Sequence, residues 1–346
     1  MSQTTENVII VKSKTRLEML TEKFNTTAQA KFYIQQSERN FATSKSVSAP
    51  LLQKKAAPTN RVLPKEKIET ISSSFDDYQT QHDNFYFSLD TIQKKISKLA
   101  KVKIIDRSFL PNFVFAENDI VVVLGQDGLV ANTAKYVANI PIIAINPDPN
   151  RYDGILLPFN ISNFEHIFYQ VLENRYNYKL VTMAEAKLND GQRLLAFNDL
   201  FIGPATHISA RYKITYNEVS ENQSSSGVIV STGAGSTGWL SSLFNMAAGI
   251  SNTFNKSSSK IEQKRMEWDT SQLIFVVREP FLSKYSQTNL SAGIINQNTE
   301  LILESLMPEN GIIFSDGVEA DFIKFNSGSI ATIGIANEKA KLVMNF

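Results

Sequence analysis

The first half of the chain alternates short apolar runs with segments of helical periodicity. Four runs are apolar enough for buried strands: Val8–Val11, Val102–Ile105, Asp119–Leu124 and Ile140–Ile145. The last of them is stopped by Asn146-Pro147-Asp148-Pro149. Strands that alternate with helices predict a parallel, doubly wound α/β sheet.

Three helices are predicted between and beyond these strands. Thr15 and Glu18 have the spacing of a capping box, as do Ser162 and Glu165. The apolar positions that would face the core in the three helices are Leu17, Leu20 and Phe24; then Ile92, Ile96 and Leu99; then Phe164, Ile167, Phe168, Val171 and Leu172.

The second half has strand periodicity almost throughout. Tyr178–Leu188 and Arg193–Ile202 flank Asn189-Asp190-Gly191, a strong hairpin signal. Further strands are predicted at Arg211–Glu218, Gly227–Ser231, Gln272–Val277, Glu300–Glu304, Gly311–Ser315 and Ser329–Ala336. Only Ser236–Gly249 has a helical pattern here, so this half is predicted to be β-rich.

The change of pattern predicts a boundary between two domains near residue 176. Residues 1–176 would form an α/β domain, residues 177–325 a β-rich domain, and residues 326–346 a strand returning to the first domain. Residues 41–61, rich in Ser, Lys, Ala and Pro, are predicted to be a mobile surface loop. Residues 252–269 are predicted to be a polar loop or short arm.

Composition narrows the function classes. The chain has 346 residues, of which 42% are hydrophobic, and 35 Lys and Arg balance 34 Asp and Glu. This balance gives no electrostatic case for nucleic acid or an anionic membrane as a partner. The absence of cysteine excludes disulfides and thiolate metal sites. With no signal peptide and no 18-residue apolar run, a cytoplasmic protein is expected.

The most informative segment is Asp119–Tyr136. A buried strand, Ile120–Leu124, runs into the turn Gly125-Gln126-Asp127-Gly128 and then into a helix. Such a turn leaves backbone N–H groups at the helix N-terminus, where they can hold phosphate. Asp127 would then stand beside the phosphates, as a general base. The same turn also occurs as a plain connector, with Asp127 capping the helix.

Four segments in order resemble the NAD kinase family over roughly residues 100–335. The Gly125–Gly128 turn is similar to the family's Gly-Gly-Asp-Gly loop. Asn198-Asp199 is similar to its Asn-Glu/Asp pair, Ser231–Trp239 to its Ser-Thr-Pro-Thr-Gly-Ser-Thr-Ala-Tyr stretch, and Ser315-Asp316-Gly317 to its late Asp-Gly turn. The combination looks most like a divergent bacterial branch often labelled NAD kinase or sugar kinase.

The resemblance implies an N-terminal α/β domain, a C-terminal β-sandwich domain and homo-oligomers, dimers or tetramers, built from the latter. It also implies a reaction in NADP biosynthesis, namely transfer of a phosphoryl group from ATP, or in some members polyphosphate, to the adenosine 2′-hydroxyl of NAD or NADH. Mg²⁺ would accompany ATP. No protein metal site is expected, since the three histidines, at positions 82, 166 and 207, have no metal-ligand spacing.

The resemblance assigns roles to individual residues. Asp127 would accept the hydroxyl proton. Asn198 would contact the adenosine side and Asp199 a ribose hydroxyl, while Thr237 would contact adenine and Trp239 would pack on it. The remaining phosphate- and nucleotide-binding residues would be Gly125, Gln126, Gly128, Thr232, Gly235, Ser236 and Asp316.

Each assignment has a structural alternative. Asn198 and Asp199 would be solvated residues at a strand edge, Trp239 a core residue at a helix start, and Asp316-Gly317 a simple hairpin turn. The sequence also departs from the family pattern, because Gln126 replaces a glycine, Gly233 a proline and Ala234 a hydroxyl residue, and Val318 stands where a polar residue is more frequent.

These departures keep two other functions open: a kinase of a different alcohol, and a non-catalytic dinucleotide-binding sensor. Asn198-Asp199 and the Thr237–Trp239 segment favour a nucleotide acceptor over a lipid. Gln126 and Ala234 favour the sensor, because they crowd the phosphate loop and remove a hydrogen bond to the nucleotide.

Overall fold

The computed structural model describes residues 7–36, 74–254 and 265–345. The chain divides into two compact units, Lys14–Thr91 and a larger one formed by Met1–Ser13 with Ile92–Phe346. The predicted mobile loop at 41–61 lies outside the described residues, as does the middle of the predicted arm at 252–269. The domain boundaries at residues 176 and 325 stay predictions.

The smaller unit is helical. It contains α1 (Arg16–Phe24), α2 (residues 27–36) and most of α3 (Phe75–Ile96). The capping box at the start of α1 is confirmed, because Thr15 Oγ1 accepts from Glu18 N and Thr15 N donates to the Glu18 carboxylate at 2.7 Å. The end of α3 belongs to the larger unit. Leu99, predicted on this helix, lies beyond its end and is 45% exposed.

The described part of the larger unit contains the sheets and three further α-helices. The helices are α4 (Asp127–Val137), α5 (Phe164–Leu172) and α6 (Trp239–Phe254). The strands in the described residues are β1 (Asn7–Lys12), β2 (Lys101–Asp106), β3 (Ile120–Leu124), β4 (Pro141–Ile145), β5 (Asn177–Leu188), β6 (Arg193–Ala196), β7 (Asp199–Pro204), β8 (Ala210–Tyr216), β9 (Val219–Ser225), β10 (Val228–Ser231), β11 (Leu273–Val277), β12 (Ala292–Ile295), β13 (Leu301–Ser305), β14 (Gly311–Ser315), β15 (Val318–Lys324) and β16 (Ile330–Met344). Among the described helices, none has the length and apolar character that crossing a bilayer requires.

The N-terminal strands form the predicted parallel sheet. Its order is β2-β1-β3-β4, with every neighbouring pair parallel. All five residues of β3 are buried, as expected of a central strand covered on both faces. Since β1 lies between β2 and β3, the order reverses there, and ligands of such sheets bind at the carboxyl ends of the strands beside a reversal. The Gly125–Gly128 turn follows β3 at that end.

The C-terminal half is the predicted antiparallel β domain. One sheet has the order β12-β11-β10-β7-β14-β15, and its inner face packs against β8, β13 and the first half of β16. Fully buried members of this core include Leu200, Tyr212, Val230, Phe275 and Leu303. Two antiparallel sheets that share one apolar core form a β-sandwich.

The long strand β16 joins the two halves. Its first part pairs with β13, and near its end Lys341 and Leu342 pair in parallel with Pro141 and Ile142 of β4. β5 accompanies it along both parts, with a shift of register between Ile335 and Lys339. The parallel sheet therefore continues into the sandwich as one hydrogen-bonded surface.

Two local predictions were wrong. The single strand predicted at Arg193–Ile202 is broken after Ala196, and β6 and β7 belong to different sheets. Ser162 does not cap α5; it hydrogen-bonds to the side chain of Asn160, and Asn163 is the N-cap residue. A change of sheet leaves no signal in apolar periodicity, since both strands are apolar.

Candidate functional site

The Gly125–Gly128 turn has an unstrained backbone. Gln126, which stands where a glycine was expected, has φ −109° and ψ 167°, an extended conformation open to any residue. Its carbonyl accepts the first helical bonds, from Leu129 N at 2.8 Å and Val130 N at 3.4 Å. The N–H groups that precede them therefore face the open end of α4.

Asp127 ties this turn to the loop that follows β4. Its carboxylate accepts from Leu156 N at 2.8 Å and from Ile155 N at 3.2 Å. The side chain is half-buried, and Gly154 before these donors has φ +63°. The carboxylate is thus held by backbone donors at the carboxyl edge of the parallel sheet.

The segment Phe197–Asp199 is the crossing between the two sheets. Phe197 is fully buried in the core that contains Leu129 and Ala134 of α4. On β7, Leu200 and Ile202 point into the sandwich core. Because side chains alternate along a strand, Asp199 and Phe201 share the opposite face.

The late Asp-Gly turn anchors this crossing. Asp316 and Gly317 have φ +55° and +67° and form the two-residue turn between β14 and β15, whose positive angles favour this residue pair. The Asp316 carboxylate accepts from Asn198 N at 2.6 Å, Phe197 N at 3.1 Å and Asp199 N at 3.3 Å. Asp316-Gly317 is therefore a hairpin turn that also binds a distant segment.

The glycine-rich loop before α6 packs on the same crossing. Thr232 N donates to Asn198 O at 2.9 Å, and Thr232 Oγ1 donates to Phe197 O at 2.6 Å. A Cβ on Gly235 would lie 2.1 Å from Asn198 O, and one on Gly233 would lie 1.9 Å from the carbonyl oxygen of Glu267. Close backbone approach therefore requires glycine at both positions.

Ser236 and Thr237 have different environments in this loop. Ser236 is buried, and its Oγ donates to Gly233 O at 2.7 Å and accepts from Met266 N at 3.2 Å. Thr237 is exposed. Ser236 is therefore committed to holding the loop, whereas Thr237 is accessible to a ligand.

Trp239 stands on the outer face of the second sheet. Its ring stacks on Phe201 with centroids 5.8 Å apart and planes inclined by 12°, and the Arg278 guanidinium lies 5.4 Å from the Trp239 centroid. Trp239, Phe201 and Arg278 line an open cavity of about 690 Å³ together with Phe314. Trp239 is half-buried and borders open space on the face of β7 that carries Asp199.

The two carboxylates at the crossing influence each other. Burial, reinforced by the nearby Asp316 carboxylate, raises the pKa of Asp199 to about 7. Burial also raises the pKa of Asp316, while the Lys135 ammonium and the three backbone donors act in the opposite direction. A carboxyl group that titrates near neutrality can exchange protons at physiological pH.

The structure thus brings together Asn198, Asp199, Thr232, Gly235 and Asp316. Trp239 contacts Phe201, which lies two residues from Asp199 on the same face of β7. The recorded hydrogen bonds of Asp127 go to the loop at 155–156. The sequence interpretation missed Lys135, Tyr136 and Asp321, which connect α4 to the β14–β15 hairpin. The one signal that pointed to them was a lysine in α4 beside the apolar residues Ala131, Ala134 and Val137.

Comparison with known proteins gives partial matches in sequence. No protein-family model matches the chain. An NAD kinase of Clostridium kluyveri is 29% identical over 139 residues, which are 38% of this chain and 46% of that protein. The chain spans about half the length of the curated relatives it matches.

Solved structures extend the likeness to most of the fold. A yeast NADH kinase complexed with NADH has a TM-score of 0.51 at 15% identity, over 74% of this chain and 79% of that one. An NAD kinase from Archaeoglobus fulgidus in complex with ATP has the same TM-score at 18% identity, over 74% and 89%. The resemblance expected from the four motifs is confirmed: the chain is similar to NAD kinases in sequence and has an NAD kinase-like fold.

Proposed function

We propose that the protein is a kinase that transfers a phosphoryl group from ATP to the adenosine 2′-hydroxyl of NAD or NADH. The observation that carries this proposal is the meeting of three distant segments at one crossing. Asp316 and Thr232 both bind the backbone at Phe197–Asp199, over separations of 118 and 35 residues, so motifs that are distant in the sequence act as one unit.

The two halves of the site suit different substrates. The open N-terminus of α4 offers N–H groups to the ATP phosphates. The outer face of β7 presents the Asp199 carboxyl to a ribose hydroxyl and the exposed edge of the Trp239–Phe201 stack to adenine. Asn198 and Thr237 border the same region, on the adenosine side.

The donor set fits a metal ion carried by the nucleotide. Across the described ranges, no three Asp, Glu or His side chains converge on a common point. Mg²⁺ commonly binds through one or two carboxylates and the substrate phosphates, so it needs no dedicated protein cage. Bound to ATP, Mg²⁺ would neutralise phosphate charge.

The chain's own residues would position the reactants and accept the proton. Asp127 would accept the proton of the 2′-hydroxyl. The hydroxyl oxygen would form a bond to the γ-phosphorus, while the bond between that phosphorus and the β–γ bridging oxygen breaks and ADP leaves. Phosphoryl transfer requires positioning and charge stabilisation more than covalent help. Asp127 would first exchange its bond from Leu156 or Ile155 for the hydroxyl.

An assay of the purified chain tests the assignment. ATP, Mg²⁺ and NAD, NADH or a panel of other alcohols are supplied; ADP release is measured with every acceptor, and NADP or NADPH is measured with a dehydrogenase specific for it. We expect NADP or NADPH to form. Product from another alcohol alone would make the protein a different kinase, and NAD binding without turnover would make it a sensor.

The proposal also includes the oligomeric state and the cellular location of the protein. A homo-oligomer, dimer or tetramer, formed through the C-terminal domain is supported by the exposed apolar side chains of Phe281, Leu282 and Tyr285 after β11, which are 65%, 68% and 88% exposed. Light scattering after size exclusion measures the number of subunits. A cytoplasmic location and the absence of nucleic-acid and membrane partners stay predictions from the sequence.

A further inference from the structure

A lysine is buried where α4 meets the β14–β15 hairpin. The Lys135 side chain is 2% exposed. Its Nζ donates to Ser315 Oγ at 2.8 Å and to Asp321 Oδ2 at 3.0 Å. Since an ammonium is costly to bury unless it is paired, this contact fixes the hairpin against the helix.

Asp321 is the partner of two donors. Its Oδ2 accepts from both Lys135 and the hydroxyl of Tyr136, and its Oδ1 is buried without a recorded partner in the described residues. Burial first, and then Asp321, raises the pKa of Tyr136. The phenol therefore remains protonated at neutral pH and keeps donating.

A chain of contacts runs from this cluster to the crossing. Ser315, which binds Lys135, directly precedes Asp316, and Asp316 holds the three N–H groups of Phe197–Asp199. The charged and titratable groups recorded around it are the carboxylates of Asp199, Asp316 and Asp321, the Lys135 ammonium, the Tyr136 phenol, and Arg107, whose charge acts on Tyr136.

We propose that Lys135 is a positioning residue for the acceptor nucleotide: through Ser315 and Asp316, it fixes the Phe197–Asp199 backbone and so the orientation of the Asp199 carboxyl. The role in substrate binding rests on the proposed function. The effect on the orientation of Asp199 does not, because the contacts are present in the protein without substrate.

The main test removes the buried pair as a unit. Lys135→Met combined with Asp321→Asn leaves no unpaired buried charge, so the fold is expected to survive. Lys95→Met is the matched control, since Lys95 makes a partly exposed ion pair with Glu165 at 2.9 Å, away from the hairpin. Thermal unfolding of each variant is recorded first.

The first readout needs no substrate. The ¹³C shift of the Asp199 carboxyl is followed against pH in protein labelled on aspartate, and Asp199→Asn assigns the signal. We expect the midpoint, which lies at about 7 in the parent, to move by about half a pH unit or more in the double variant, because Asp316, whose carboxylate contributes to the raised pKa of Asp199, is no longer held through the Lys135–Ser315 contact. It should stay in place in Lys95→Met.

The second readout uses the substrates. In the double variant, KM for NAD should rise by about tenfold while KM for ATP changes by less than about threefold, as expected if the loss falls on the acceptor side. A folded double variant with an unchanged Asp199 midpoint and an unchanged KM for NAD would overturn the proposal. A parent without kinase activity would refute the proposed function, and the midpoint would still test whether Lys135 positions Asp199.

A second variant covers failure of the double variant to fold. Ser315→Ala removes the bond from Lys135 to β14, beside Asp316, and leaves the ion pair between Lys135 and Asp321 on β15 intact. We expect weaker NAD binding by about threefold or more with unfolding close to that of the parent. Unchanged NAD affinity in this variant would also overturn the proposal.

Discussion

Two aspartates of the candidate site, Asp127 and Asp199, are held in opposite ways. Asp127 lies at the start of a helix and accepts from two backbone N–H groups of a nearby loop. Asp199 lies on a strand where two sheets cross, beside the carboxylate of Asp316, and its pKa is raised to about 7 by burial and by that neighbour. An aspartate side chain is thus a locally fixed hydrogen-bond acceptor at position 127 and a group that titrates near pH 7 at position 199.

The comparison shows that two residues of the same type can have different chemical roles because their environments differ. The turn at Asp127 depends on a short stretch of chain, whereas the Asp199 site depends on contacts with residues more than a hundred positions away. The first would tolerate loss of the distant hairpin, and the second would not. Four predictions test this difference.

The largest expected effect is on turnover. Asp127→Asn keeps a side-chain acceptor for the loop donors and removes the proton acceptor. We expect turnover to fall by about 10²–10⁴-fold, with NAD binding and thermal unfolding close to those of the parent. Steady-state kinetics, calorimetric titration and calorimetric unfolding measure the three quantities.

Asp119→Asn is the matched control, because Asp119 also accepts from a backbone N–H but lies at the other end of β3. It should leave turnover unchanged. Retained turnover in Asp127→Asn, within about tenfold of the parent, would show that the base lies elsewhere. Loss of fold together with activity would make Asp127 a structural cap.

The next effect is on stability. Asp316→Ala removes the acceptor of three backbone N–H groups and places alanine at φ +55°. We expect the free energy of unfolding to fall by about 3 kcal/mol, measured by urea denaturation. Asp190→Ala, in the exposed β5–β6 hairpin, should cost much less, since Asp190 is exposed and its bonds to Gln192 are local. Equal losses in the two variants would contradict the anchoring role of Asp316.

The third prediction concerns Trp239, which stacks on Phe201 at the face of β7 that also carries Asp199. Trp239→Ala should weaken dinucleotide binding by roughly 1–3 kcal/mol, the scale of stacking between a base and an aromatic ring. Trp239→Phe is the control that keeps a ring beside Phe201, and it should retain most of the affinity. Calorimetric titration with NAD measures both. An unchanged dissociation constant in a folded Trp239→Ala variant would place Trp239 in the core rather than in the site.

The last prediction is a slope of stability against pH. The folded chain keeps the Asp199 proton up to about pH 7, whereas the unfolded chain releases it near pH 4. The stabilisation from this proton is therefore complete below about pH 4 and is lost as the pH rises through 7. As the pH rises across this window, the free energy of unfolding of Asp199→Asn should increase relative to that of the parent, by on the order of 1 kcal/mol per pH unit. A constant difference would mean that Asp199 is ionised throughout.

Much of the fold was accessible from the sequence. The continuous apolar runs of the first half predicted the parallel sheet, and the run Ile120–Leu124 followed by Gly125 placed the helix turn correctly. The capping box at Thr15 and the hairpin at Asn189–Gly191 also formed as expected. Each of these signals is local, because it depends on residues within one or two turns of chain.

Other features had no local signal. The strands β9, β12 and β15 were missed, and the strand through Phe197 was predicted as continuous although it changes sheets there. The polar network of Lys135 and Asp321 joins residues 186 positions apart. No pattern within a short window can specify such a pair.

The sequence by itself determined the motifs, their order and the elements that carry them, because backbone propensity and apolar periodicity act over short stretches of chain. The tertiary structure determined which carboxylates lie close together. The pKa of Asp199 is raised to about 7 because the fold places β7 in the second sheet and brings Asp316 of the hairpin beside it. Burial and proximity of like charges are properties of the packed molecule, and so the proton affinity of this site is fixed by the fold.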